Sequence, residues 1–237
     1  MRSLLLLSMG LFIILTSCSK SPEDIVKRYV NAKDIETKIS CVVQDSDVNR
    51  LMKKKYDRAF FIEQGNYEYT DFYSEQIDLE TGETINCAFA SRSQKGSDRV
   101  PRQNVYYLAN AENGEYLIDW RATNGIGDMT IKEFRIKKPL ESTKLYVEAS
   151  LSDYYNYEFR DASSEYQSIQ LGSILLHGYV RRGTSDYERL SKYLQDGDSL
   201  PLTVMVRYTE YHYGGDLVFI DKFLHEYWGE PVMKKTE

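Results

Sequence analysis

Histidine, cysteine and surplus positive charge are all scarce in this 237-residue chain. No two of its three histidines, His177, His212 and His225, sit at metal-ligand spacing. The stretch HEYWG at His225 begins like a zinc-protease helix, but Gly229 stands where the second histidine belongs. None of the three cysteines, Cys18, Cys41 and Cys87, has a second cysteine at zinc spacing, so no metal is expected. Thirty Lys and Arg face 36 Asp and Glu, for a net charge of −6. Nucleic-acid binding is chiefly phosphate neutralisation by basic residues, so no nucleic-acid partner is expected. No G-x-S-x-G elbow occurs. Gly125 and Gly127 are followed by Thr130 where a dinucleotide loop has its third glycine, so no cofactor is expected either. The apolar run from Leu4 to Leu15, interrupted by Ser8, Met9 and Gly10, falls short of the roughly 20 residues that span a bilayer as a helix.

That run has another use. Arg2 precedes it and Leu15-Thr16-Ser17-Cys18 ends it, an aliphatic residue and two small residues before a cysteine. The pattern resembles the lipobox of bacterial lipoproteins, which implies that residues 1–17 are a signal peptide and that Cys18 carries the lipid. Two or three acyl chains suffice for stable anchoring, at about 0.8 kcal/mol per buried methylene. The resemblance to Gram-negative lipoproteins implies, with Ser19 in place of Asp, sorting to the outer membrane. Only Ser19 and Lys20 separate Cys18 from Ser21, a reach of about 10 Å. The folded part is therefore expected close to the membrane.

Twenty tyrosines against nine phenylalanines favour strands with one wet face. Three short helices come first, each begun by a capping residue: Ser21 before PEDIVKRYVNA, Asp34 before IETKISCVV, Asp45 before SDVNRLMKKKYD. Strands follow. NYEYTDFYSEQIDL places Tyr67, Tyr69, Asp71 and Tyr73 on one face, and a turn at Gly82 leads to Ile85, Cys87 and Phe89 on one face of the next. SRSQKGSDRVP reads as a loop, and QNVYYLAN and EYLIDWR as a second hairpin. Helices followed by an antiparallel meander mean an α+β architecture. A connector at 124–143 holds a short helical piece. The remainder reads as three strands, a helix capped by Ser185 and closed by Gly197, and two strands. That is the element order of an OB-like β-barrel. Cys41, in a predicted helix, and Cys87, in a predicted strand, are either a disulfide or two buried thiols.

The three helices and the hairpin ending in GEYLIDW resemble the nuclear-transport-factor-two-like (SnoaL-like) cone fold, which recurs in bacterial lipoproteins just after the lipobox. AKDIETKISCVVQDSDVNRLMKKKYD and the later DYYNYEF also resemble segments of envelope proteins from the planctomycete and verrucomicrobial groups. The expected organisation is a signal peptide at 1–17, a cone-like α+β domain of helices on a curved antiparallel sheet at 18–123, the connector at 124–143, an OB-like barrel with one helix at 144–229, and a tail at 230–237.

Three functions compete. The first is a lipid-anchored, non-catalytic binding or assembly module, its partner an envelope protein, peptide or glycan. The second uses the cone interior for a small molecule or a reaction. The resemblance makes Asp119 the candidate general base, since cone-fold isomerases place an acid in the cavity; strand alternation reads Asp119 with Arg121 as a cross-strand surface group, and a fold alone does not fix chemistry. The third is a glycan- or peptide-binding barrel face at Tyr154, Asn156 and Tyr179. In LSDYYNYEFRD, alternation puts Tyr155, Tyr157 and Phe159 on one side of a strand, as core rather than platform, and leaves Tyr154 and Asn156 at the surface. The run Arg50, Lys53, Lys54, Lys55 and Arg58 suits either a solvated helix face or anionic headgroups.

Overall fold

The computed structural model describes residues 21–173, 176–195, 199–210 and 216–233. The signal segment, Cys18, Gly197 and His212 lie outside them. The chain is a mixed α+β protein built on antiparallel pairing.

The three expected helices form as α1 (Pro22–Asn31), α2 (Ile35–Ile39) and α3 (Ser46–Lys55). Their caps act as the sequence requires. The side chains of Ser21, Asp34 and Asp45 accept from the first-turn amides of Asp24, Thr37 and Val48. A fourth helix, α4 (Arg58–Gln64), starts at Asp57, whose carboxylate accepts from Phe60 N at 2.9 Å. It was not expected, because Ala59 to Ile62 is a continuous apolar run with no helical period.

All four helices lie against one face of a sheet ordered β1 (Tyr67–Asp78), β2 (Glu83–Gln94), β3 (Arg102–Asn110) and β4 (Tyr116–Ile118). On that face Ala88 and Ala90 are small, so Ile25, Val26, Met52 and Tyr56 approach closely beside Tyr106, Ile118 and Trp120. The opposite face carries Ile85, Cys87, Phe89 and Tyr107. The two cysteines therefore belong to different clusters and are not bridged.

Asp71 has φ +51° and the β1–β2 register shifts between Thr70 and Tyr73. This bulge turns Phe72 to the helices beside Tyr69, while Tyr73 stacks on Phe89 across the other face at 4.7 Å. Tyr69 and Tyr73 thus do not share a face. β2 runs through Gln94, so the loop shrinks to 95–101. The strand at EYLIDWR stops at Ile118, because the Asp119 side chain accepts from Ala122 N at 2.9 Å and begins α5 (Trp120–Thr123) instead.

The connector contains α6 (Ile131–Lys137), opened by a reciprocal capping box between Thr130 and Glu133. A closed five-stranded barrel follows: β5 (Thr143–Ser152), β6 (Tyr166–Leu171), β7 (Leu176–Arg181), β8 (Leu200–Tyr208) and β9 (Leu217–Glu226), in the order β5-β6-β7-β9-β8. Of these five strands, β7 and β9 pair parallel and the other pairs are antiparallel. Between β7 and β8 lies α7 (Ser185–Tyr193), capped by Thr184 rather than Ser185. Leu145, Val147, Ile169, Leu171, Val204 and Phe223 fill the core. Phe134 of α6 enters the same core and stacks on Tyr208. Gly178 leaves room for Ile220, whose side chain would lie 2.8 Å from any Cβ there.

LSDYYNYEFRD is not a strand. β5 ends at Ser152, and Tyr157–Phe159 form a turn of 3-10 helix in which Tyr157 takes φ +49°. Phe159 is buried while Tyr157 is exposed, so the expected alternation is lost. Nor is 230–237 a free tail where it is described. Glu230 pairs with Lys144 and accepts from Tyr146 Oη, and β10 (Val232–Met233) adds to β2 at Thr84. Trp228 Nε1 donates to Val147 O at 3.0 Å, and its ring packs beside Tyr107. The barrel and the helix-backed sheet are thus joined through side chains and a strand.

Candidate functional site

β4 pairs only with residues 108–110 of β3. Among the described residues no strand covers the same edge of β3 at 102–106. A cleft of about 520 Å³ opens there between the helix layer and the barrel. Tyr29, Tyr56, Phe60, Tyr69 and Tyr106 wall its helix side, and Glu148, Pro201 and Trp228 its barrel side. A volume of this size matches small-molecule sites in general.

Lys38 is the unusual member of the lining. It follows Ile35 by three residues in α2, so helical spacing carries it into the core with the apolar stripe, and it is only 2% exposed. Its Nζ donates to Tyr29 O at 2.8 Å. The ammonium lies over the Tyr29 ring at 4.1 Å, Tyr56 at 5.3 Å and Phe60 at 5.7 Å. Among the described residues no carboxylate pairs with it. Burial lowers its pKa to about 8.

The surrounding polar atoms hold the rings in place. Tyr29 and Tyr56 share a hydroxyl–hydroxyl bond of 2.8 Å, and Trp120 Nε1 donates to Tyr56 Oη at 3.2 Å. Burial raises the pKa of both phenols, and those of Tyr69 and Tyr106 with them. Lys55 sits over the Trp120 and Tyr56 rings and binds Asn124, with its pKa also lowered by desolvation. Arg92, on β2, completes a set of three cations in the lining.

Asp119 does not line this cleft. It lines two other hollows, one of about 330 Å³ with Asp45, Arg121, Lys144, Tyr146 and Glu230, and one of about 340 Å³ with Val48, Leu108 and Trp120. Desolvation raises its pKa, although the Ala122 amide donates to it. Arg121 pairs with Asp45 at 3.8 Å.

On the barrel, Tyr154 stacks on His177 with ring centres 4.2 Å apart and receives a hydrogen bond from Asn156. One face of Tyr154 is therefore covered. Tyr179 is fully buried, stacks on Phe159 at 3.7 Å and donates to Tyr154 O, so it packs the core. His177 and His225 are buried, and desolvation lowers both pKa values. In the basic run, Arg50 pairs with Asp47 and Lys53 with Glu36. Gly127 has a purpose other than phosphate binding: Lys144 O would lie 2.2 Å from a Cβ there. Asp128 N donates to that carbonyl and the Asp128 carboxylate accepts from Lys144 N.

Lys38, Arg92 and Tyr106 carry no motif in the sequence, and Lys55, read there as part of a basic run, lines the cleft instead. The available signal was Lys38 itself, a lysine on the apolar stripe of a capped helix.

Among the described residues no group of three or more His, Cys, Asp or Glu is placed to hold a metal ion, and no helix is long and apolar enough to cross a membrane. Comparison of the chain with protein-family models, with curated proteins and with solved structures gives no match.

Proposed function

We propose that the protein is a lipid-anchored component of a bacterial envelope that acts as a non-catalytic binding module, with its ligand in the cleft beside β3. The observation that carries this reading is the cleft itself: an open hollow of about 520 Å³ to which helix layer, sheet and barrel all contribute polar side chains. Asp119, the candidate base, faces elsewhere, and this favours binding over catalysis. We read the barrel as OB-like; the strand order, the parallel β7–β9 pair and the helix between β7 and β8 support that. We read the first unit as cone-like, in keeping with the resemblance to nuclear-transport-factor-two-like proteins; helices stacked on one face of an antiparallel sheet support it. The anchor at Cys18, the outer-membrane location and the absence of a nucleic-acid partner are proposals from the sequence.

Two experiments test this. Cells fed a labelled palmitate analogue should label the wild-type protein and not Cys18→Ala; label on the variant would remove the anchor. For the cleft, a fragment library is screened by ligand-observed NMR against the full chain in detergent. Binders should be lost in Asn104→Trp, which fills the hollow beside Tyr106. Equal binding by both proteins would contradict the cleft.

A further inference from the structure

An ammonium taken out of water needs an opposite charge or a full set of acceptors to offset the lost hydration. Lys38 has three N–H donors and, among the described residues, one protein oxygen, Tyr29 O. The rings of Tyr29, Tyr56 and Phe60 give it π faces but no countercharge. The cleft it lines also holds Lys55 and Arg92, and among the described residues the one acid in the lining is Glu148, exposed on the barrel side. Asn104, Gln103 and Asn124 also line it, the Gln103 amide donating to Tyr73 Oη and the Asn124 amide to Trp120 O. The lining thus carries three cations and a set of aromatic rings, and among the described residues no carboxylate pairs with Lys38.

We propose that the cleft binds a small organic anion, with a charged oxygen of the ligand on Lys38 Nζ and an apolar body against the tyrosine rings. The proposal rests on the cleft being a binding site and adds the class of ligand. Binding supplies the missing countercharge and so favours the protonated lysine. The titratable groups facing Lys38 are Tyr29 of α1, Tyr56 at the end of α3 and Cys41 just beyond α2. Burial keeps both phenols neutral beyond the lysine's range, and an ionised Cys41 would hold the lysine proton.

The test is calorimetric titration of the full chain in detergent with phenylacetate, octanoate and phenyl phosphate, each against its uncharged amide or alcohol. The anions should bind at least about tenfold tighter than their neutral counterparts. That advantage should disappear in Lys38→Met, which keeps the length and apolar stem of the side chain. As a check that needs no variant, the wild type should take up protons on binding anions near about pH 8.5, above the lysine midpoint. Neutral probes binding as tightly as anions, or anion binding without proton uptake, would overturn the ligand class and leave the cleft standing. A panel in which nothing binds would overturn both.

Discussion

Lys38 shows how one side chain can carry more information than the stripe it sits on. Its helix, cap and apolar neighbours were legible, because Asp34 and the Ile35–Ile39 spacing are local signals. Its burial was not, because burial depends on Tyr29, Tyr56 and Phe60 arriving from three other helices. The consequence is measurable. The folded pKa near 8 lies below the ordinary 10.5, so between those values the unfolded chain holds the proton more tightly and stability rises with pH. Lys55, lowered in the same direction, and Cys87, raised, are common to wild type and variant and cancel in a comparison. Urea unfolding of wild type and Lys38→Met should therefore show the wild type gaining relative stability from about pH 7.5 to about pH 9.5. A constant difference across that range would contradict the burial of a charged lysine.

At the scale of elements, the order of helices and strands was legible and several faces were not. Period-two reading of β1 fails at Asp71, because a single residue in the left-handed region adds one position and reverses the alternation beyond it. Aspartate tolerates that conformation and a β-branched residue does not. Asp71→Val should cost about 1–2 kcal/mol in chemical denaturation and Asp71→Gly less than about 0.5 kcal/mol. Equal losses from both would mean that the bulge is not what fixes Tyr73 over Phe89. The segment at 153–159 misled for a related reason: tyrosines alternate in it, but Asn156 accepts from Tyr157 N through its own side chain and closes a tight turn. Asp119 was read as a strand residue and turned out to start a helix, a choice set by one side-chain acceptor.

Across the whole molecule, the missing information was the junction. Nothing local announces that Trp228 donates to Val147, that Glu230 returns to Lys144 and Tyr146, or that Val232 pairs with Thr84. Beside these contacts Cys87, Phe89 and Tyr107 share one buried cluster with Tyr146. Thermal unfolding followed by circular dichroism should show one transition in the wild type. Trp228→Ala should lower it and separate it into two; a single, unshifted transition would show that the units are coupled some other way. The same junction forms the barrel wall of the cleft. The most direct measurement of what the cleft is for is an NMR titration of the Lys38 side chain in the full protein, alone and saturated with a binding anion. The account predicts a midpoint near 8 in the free protein and a clear rise with the anion bound. A free midpoint near about 10.4, as for a lysine in water, or one that no anion moves, would contradict it.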